Sequence, residues 1–411
     1  MILLSNRGWR RLQAVRRVER GKWTMAEAAQ AVGVTTRHMR RICRAVEAQG
    51  EAGLVHGNCG RAAPNRRSEE QRRRVMALHR EKYAGFNDAH FTEKLASVEG
   101  VKVSRSTVRR WLRAEGIGAA RRRRPPKHRR RRDRKPQAGQ MVLWDGSRHD
   151  WLEGRGPMLC LVGAIDDATS DFLPGAHFVE HECSVAYLRV LRALATGPGL
   201  PWSCYGDRHS IFRRNDDAWT LEEELRGRQD PTQLGRALEA LGIERIDALS
   251  PQAKGRVERL WGTAQDRLTS ELRLANASTA AEANLVLARY RPEHNTRFAV
   301  PPSEAASAWR PVVRSLDLDR LLSFYYEATV QKDKTVRIAG RIIDIPPGPG
   351  KRTYAGIRAE VRQLLDGSWR IYHRDTLIAT APPSDLEELA PKRVRKRPVA
   401  SRAFRDAVLR L

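Results

Sequence analysis

The sequence predicts a multidomain chain that is all-α toward the N-terminus, α/β in the middle and all-β toward the C-terminus. Three observations carry that prediction. Two short helical units with capping signals lie before residue 118, and an arginine block at 121–135 divides them from the rest of the chain. From residue 140 onward, buried apolar strands alternate with helical stripes. A chain of 411 residues allows about two to four domains. The expected boundaries are 1–60 and 67–118 for the helical units, 119–137 for a linker, 138–312 for an α/β core, 320–384 for a small β-barrel and 385–411 for a basic tail.

The first unit is "TMAEAAQAVGVTTRHMRRICRAVEAQG". Thr24 followed by Glu27 is a capping box, so a helix should start there and run to Val32. Gly33 supplies a tight turn, and Thr35 or Thr36 can cap the next helix. There Met39, Ile42, Cys43 and Val46 make one apolar face, while Arg37, Arg40, Arg41 and Arg44 face solvent. Helix, glycine turn and basic second helix form the helix-turn-helix pattern, whose second helix enters the DNA major groove.

A second unit repeats the plan. "SEEQRRRVMALHREKY" opens with Ser68 and Gln71 as a box-like cap, and Phe91, Leu95 and Val98 share one helical face. "VEGVKV" turns the chain, and Ser104 or Ser106 caps "STVRRWLRAEGI", with Val108 and Leu112 inward and Arg109 and Arg110 outward. The linker "RRRRPPKHRRRRDRK" (Arg121, Arg122, Arg123 and Arg124 at its head) has nothing apolar to bury and repels itself, so it reads as extended.

Net charge is +28, with 76 basic against 48 acidic residues, a field that attracts polyanions. Nucleic acid is the usual cellular polyanion, and binding through phosphates weakens steeply with salt. Adhesion to ribosomes or membranes would also suit a basic surface. Cys43, Cys59, Cys160, Cys183 and Cys204 are scattered without a Cys-x-x-Cys pair, so neither a disulfide framework nor a zinc knuckle is indicated. His177, His181 and Cys183 have near-ligand spacing but no fourth partner, and read as a strand-to-helix junction. No apolar stretch has membrane-spanning length, and "MILLSNRGWRRLQ" soon turns basic. A cytoplasmic, nucleoid-associated protein without a membrane partner is expected.

Within the α/β region, "QMVLWD", "PMLCLVGAID" and "DFLPGAHFVE" read as strands, "SVAYLRVLRALA" as a helix capped by Ser184, and "WSCYGD" as a strand ending at Asp207. Residues 208–231 have no clear periodicity and read as a loop or insertion. "SPQAKGRVERLWGTAQDRL" then forms a helix with Val257, Leu260, Trp261, Ala264 and Leu268 inward, starting either at Pro251 or only after Gly255. Asp145 is expected to end one strand, Asp207 another, and Glu258 to sit on the following helix. Three carboxylates from separate elements suit magnesium, a hard ion that prefers oxygen ligands. They can hold two ions about 3.5–4 Å apart, one activating the attacking oxygen and one stabilising the leaving oxygen. Asp166, Asp167 and Asp171 cluster in a turn, where aspartate is favoured by local hydrogen bonds, and are read as structural.

In order, "LWDGSRHDW", "YGDRHSIF" and "SPQAKGRVERLW" resemble the three carboxylate motifs of bacterial insertion-sequence transposases with a retroviral-integrase-type (DDE) core, most closely the ISNCY group. The resemblance covers most of the chain, with tandem helix-turn-helix units before the core and "RYRPEHNTRFAVPPSEAASAW" after it. It implies an RNase H-like core with Asp145, Asp207 and Glu258 as the metal-binding triad, holding two Mg²⁺ for which Mn²⁺ can substitute. The stretch between Asp207 and Glu258 is longer than in the tightest version of the pattern, which fits an insertion at 208–231. Beyond the core, "TVRIAGRIIDIP", "AEVRQLL", "WRIYHR" and "TLIATAP" suggest the small barrel. Similar transposases carry a barrel there for DNA contact or assembly, and its residues select neither role.

The function expected is transposition: binding of terminal inverted repeats, release of 3′-hydroxyl ends and their transfer to target DNA. Lys254, Arg256 and Arg259 would hold phosphates near the site, and two DNA ends processed together call for at least a homodimer. The alternatives are a degenerate or regulatory DNA-binding protein, and a covalent recombinase using Tyr325 or Tyr326, which lack a surrounding basic catalytic set.

Overall fold

A computed structural model describes residues 4–55, 58, 66–119, 132–214, 219–248 and 255–389. Arg121 to Arg124, Lys254 and the run at 391–398 lie outside them. The chain forms two compact units, residues 1–75 and 76–411.

In the first unit, α1 (Asn6–Glu19), α2 (Met25–Ala31) and α3 (Thr36–Gln49) surround Ala14, Val15, Ala28, Ala29, Met39 and Ile42. Thr24 and Glu27 form the capping box, and Thr35 accepts from the His38 amide at 3.2 Å. Gly33 takes a φ of +68° between α2 and α3, a turn that favours glycine. The α1 helix is an addition to the elements expected from the sequence.

α4 (Glu69–Glu81) has its C-terminal half in the larger unit, followed by α5 (Asp88–Ser97) and α6 (Arg105–Ala114). Asn87 caps α5 through the Ala89 and His90 amides, and Ser104 caps α6 through Thr107. Tyr83, Phe86, Phe91, Leu95, Val108 and Leu112 are buried there. Arg113 fastens α6 to α5 through Asp88 at 2.8 Å.

The α/β core is a five-stranded sheet in the order β3-β2-β1-β4-β5. Its strands are β1 (Met141–His149), β2 (Leu159–Asp166), β3 (His177–Val179), β4 (Ser203–Gly206) and β5 (Glu244–Asp247). The first three are antiparallel, while β1, β4 and β5 run parallel. α7 (Ser184–Thr196) supplies the crossover from β3 to β4. Its N-cap position is Cys183; Ser184, expected there, is instead the first helical residue and donates to Glu388 at 2.5 Å. α8 (Leu221–Arg226) and α9 (Gln233–Ala240) lead to β5.

Two-residue alternation gives the sheet two apolar faces. Val142, Trp144 and Val162 meet Leu188 and Leu191 of α7 and Leu238 of α9. Leu143, Leu161 and Tyr205 meet α10 (Gly255–Leu274) and α11 (Ala280–Phe298) through Val257, Trp261, Leu268 and Val286. The sheet is covered on both sides, and no described helix is long and apolar enough to cross a membrane.

Past α12 (Leu318–Leu321), the C-terminal strands are β6 (Phe324–Thr329), β7 (Thr335–Ile338), β8 (Arg341–Asp344), β9 (Arg358–Gln363), β10 (Trp369–His373) and β11 (Thr376–Ala381). The expected barrel does not close. A four-stranded sheet, β11-β10-β9-β6, and the hairpin β7-β8 share a core of Val336, Ile343, Val361, Trp369 and Ile371, with no ladder joining them. Closure needs strands long enough to pair on both edges with a consistent stagger, and β7 and β8 are four residues each. The sheet is tied to α9, where Gln233 hydrogen-bonds both backbone groups of Tyr325 at 2.8 and 2.9 Å.

Candidate active site

Asp145 does not end its strand. β1 runs through it to His149, because β2 keeps pairing from Asp145↔Gly163 to His149↔Leu159. Gly146, which resembles a turn residue in the sequence, is opposite Val162 in the ladder. A Cβ there would lie 2.7 Å from the Glu182 carboxyl group, the movable end of a flexible side chain. The turn comes later, where Asp150 accepts from the Gly154 amide at 3.1 Å.

β1 and β4 are paired in parallel at Leu143↔Tyr205. The pairing ends there; two residues further along stand Asp145, still within β1, and Asp207, just past the end of β4. Both aspartates are half-buried. Asp207 follows the last residue of β4, and its Oδ1 accepts from the His209 amide at 2.9 Å. α10 crosses the same face, and Trp261 Nε1 donates to Asp145 Oδ2 at 3.3 Å. Glu258 lies one turn before Trp261, in the first turn of α10, with an exposed side chain. The fold thus brings the helix that carries the glutamate against the strand that carries Asp145.

An all-carboxylate donor set suits a hard divalent cation in kind. The set is not closed up: among the described residues, no three His, Cys, Asp or Glu side chains are gathered tightly enough to hold a metal ion.

The neighbouring aspartates have other work. Asp166 accepts from the Gly139, Ala168 and Thr169 amides at 2.7, 2.9 and 2.9 Å; burial nevertheless raises its pKa above the ordinary aspartate value. Asp167 is fully buried and binds Arg132, the Lys135 amide and Arg256. Asp171 accepts from Thr169 at 2.8 Å. Arg256 thus departs from its expected phosphate role. Its Nη1 is 2.7 Å from Asp167 and its Nη2 donates to the Arg132 carbonyl, because its side chain faces the turn after β2. Arg259 is exposed, with Nε donating to the Gly255 carbonyl.

The arginines read from the helix patterns do face outward. Arg37, Arg40, Arg41 and Arg44 are exposed on α3, as are Arg109 and Arg110 on α6. Arg105, exposed and missed, joins Arg109, Arg110 and Arg113 along a groove on α6; its position just after the cap was the available signal. The tyrosines offered for covalent chemistry are unsuited to it. The Tyr325 hydroxyl donates to Glu327 and the Tyr326 hydroxyl accepts from the Leu389 amide. Burial is the main cause that pushes both pKa values up to about 12, away from an ionised nucleophile.

Among known proteins, residues 10–64 match the helix-turn-helix domain family. The chain is 37% identical over 321 residues to the putative transposase y4bF of Sinorhizobium fredii, covering 78% of this chain and 68% of that protein. It is 29% identical over 431 aligned positions to the transposase for insertion sequence IS1202 of Streptococcus pneumoniae, covering 93% and 89%. Among solved structures it is similar to the HTLV-2 integrase catalytic core domain in complex with magnesium (15% identity, 37% of this chain and 84% of that one, TM-score 0.26). It is also similar to the simian T-cell lymphotropic virus intasome in complex with PP2A regulatory subunit B56 gamma (14%, 75% and 100%, TM-score 0.29). At these scores the strand order, not the likeness, defines the core.

Proposed function

Because the chain belongs to the family of bacterial insertion-sequence transposases, we propose that it cuts DNA at its element's terminal inverted repeats and joins the freed 3′-hydroxyl ends to target DNA. The observation that carries this reading is the parallel β1–β4 register, with Asp145 and Asp207 each two residues beyond the paired Leu143 and Tyr205 and Asp145 bonded to Trp261 on the helix bearing Glu258. The sheet order β3-β2-β1-β4-β5, antiparallel then parallel, supports an RNase H-like core.

In this reading the exposed arginines of α3 and α6 neutralise phosphates and place the end sequence. Asp145, Asp207 and Glu258 would hold two Mg²⁺, or Mn²⁺ in their place. When bound, the ions supply Lewis-acid activation of the attacking oxygen and charge neutralisation at the leaving oxygen. In cutting, a water oxygen bonds to phosphorus as the bond to the 3′ oxygen breaks, and that oxygen takes up a proton. In joining, the freed 3′-hydroxyl loses its proton and displaces a 3′ oxygen from a target phosphodiester. No protein nucleophile is needed, which agrees with the engaged hydroxyls of Tyr325 and Tyr326. Trp261 orients Asp145, and Asp167 anchors Arg256 and with it the start of α10. Two ends are processed together by a homodimer or larger assembly.

The test is to incubate the protein with DNA carrying its own element ends and Mg²⁺, and to follow strand cleavage and joining on a denaturing gel. Asp207→Asn should lower both by at least about 1,000-fold while end binding persists. If that variant cuts at the normal rate, the site is wrong. If the wild-type protein binds ends and never cuts them, it is a regulatory DNA-binding protein.

A further inference from the structure

The second helix-turn-helix unit is bolted to the helix that carries Glu258. One flank of α10 packs on the sheet through Val257, Leu260, Trp261 and Leu268, and another flank faces α5. Along that second flank the contacts are polar and specific. Asn87 donates to Asp266 at 2.6 Å, and Arg267 grips both oxygens of Glu93 at 2.7 and 3.0 Å. His90 and Lys94 both reach Glu271, at 2.7 and 2.8 Å. Arg267 and His90 are buried and their carboxylate partners partly so, which makes these partly desolvated interactions rather than surface pairs.

Desolvated ion pairs are poor sources of net stability, since removing charge from water offsets much of their attraction. What a bidentate pair supplies is fixed geometry. A tether would suffice to keep a DNA-binding unit nearby; a lock holds it at one distance and angle. The chain of contacts is continuous: the arginine face of α6, the Arg113–Asp88 pair, α5, the lock, then α10. From Glu271 back to Glu258, α10 rises about 20 Å without interruption.

We propose that this lock is a ruler. The second helix-turn-helix unit stays docked on α10 during cutting, and Glu93, Arg267 and Glu271 are positioning residues that set which phosphate enters the site. The proposal rests on the transposase reading above and adds to it the source of cut-site precision.

Arg267→Glu removes the bidentate grip and sets like charges against one another. It should leave end binding unchanged, reduce cutting at the wild-type position by roughly 100-fold, as expected for a misplaced reacting group, and spread residual cuts to neighbouring phosphates. A sequencing gel reads the position, which a merely structural role would not shift. Unchanged rate and position in a folded R267E protein overturn the ruler. Should R267E not fold, the variant N87C/D266C bridged by a short bismaleimide decides, with wild-type protein treated alike. Cutting retained at the wild-type position supports the docked state as the active one; cutting abolished by the bridge overturns it. Failure of untreated wild-type protein to cut its ends would instead overturn the transposase reading, and the same gel separates the two.

Discussion

The chain carries two small helical units on one plan of cap, turn and cap, yet they are made of different material. The first closes around aliphatic side chains and a methionine, Ala14, Val15, Ala28, Ala29, Met39 and Ile42. The second closes around rings: Tyr83 meets Phe86 edge-on at 5.2 Å, and Phe86 stacks on His90 at 4.6 Å. His90 also faces Glu271 of α10, so one side chain belongs to both the ring cluster and the lock. Shared topology therefore says little about what a unit is fastened to. The residues on the outer flank of α5 say more.

The largest effect should come from the cores. Phe91→Ala, at a fully buried ring, should cost about 3–5 kcal/mol in denaturant unfolding, and Met39→Ala about 2–5. The comparison sharpens if Phe91→Ala also disturbs the cut position while Met39→Ala weakens only end binding; equal disturbance by both would break it.

A smaller effect should come from the two basic faces. Replacing Arg40 and Arg44, or Arg109 and Arg110, by alanine should each flatten the salt dependence of end binding by about two, roughly one for every phosphate that is no longer neutralised. Binding isotherms at several salt concentrations measure this. An unchanged slope for the α6 pair would mean that the second unit only spaces the first from the core.

The smallest effect is an acid sensitivity confined to the second unit. Burial pushes the carboxyls of Glu93 and Glu271 up, but bonds from Arg267 to one, and from His90 and Lys94 to the other, outweigh it and leave both below the ordinary glutamate value. A depressed folded pKa contributes stability that is complete above the unfolded value of about 4.3 and is lost as pH falls through the folded one. Amide exchange over residues 84–100 should therefore quicken below about pH 4. Glu271→Gln should already show faster exchange at neutral pH and a weaker response to acid.

Much of the fold is legible in the sequence, and the failures have causes. Capping boxes are local, so α2 and α3 can be placed from Thr24, Glu27 and Thr35. Another box, Thr220 with Glu223, starts α8 inside the stretch that reads as a loop; exposed Leu221 and Leu225 give it no apolar stripe. In α1, Leu12 and Val15 are outnumbered by arginines, which hides a buried face. Gly146 misleads because its place in the ladder is set by β2, a separate strand. Arg256 misleads likewise, its partner Asp167 being brought near by the sheet. The strands beyond residue 320 are visible, but whether their edges meet depends on pairing that local alternation does not encode. The candidate carboxylates can be named from sequence; their placement requires the parallel register.

α10 has one more consequence, for damaged copies of the protein. Its apolar stripe shields Leu143, Leu161 and Tyr205 from water, and the same helix bears Glu258. A product ending before residue 255 would leave that face of the sheet bare, a surface prone to aggregation rather than a soluble remnant. Premature termination should thus remove the molecule altogether, instead of leaving a stable body with two aspartates and no glutamate.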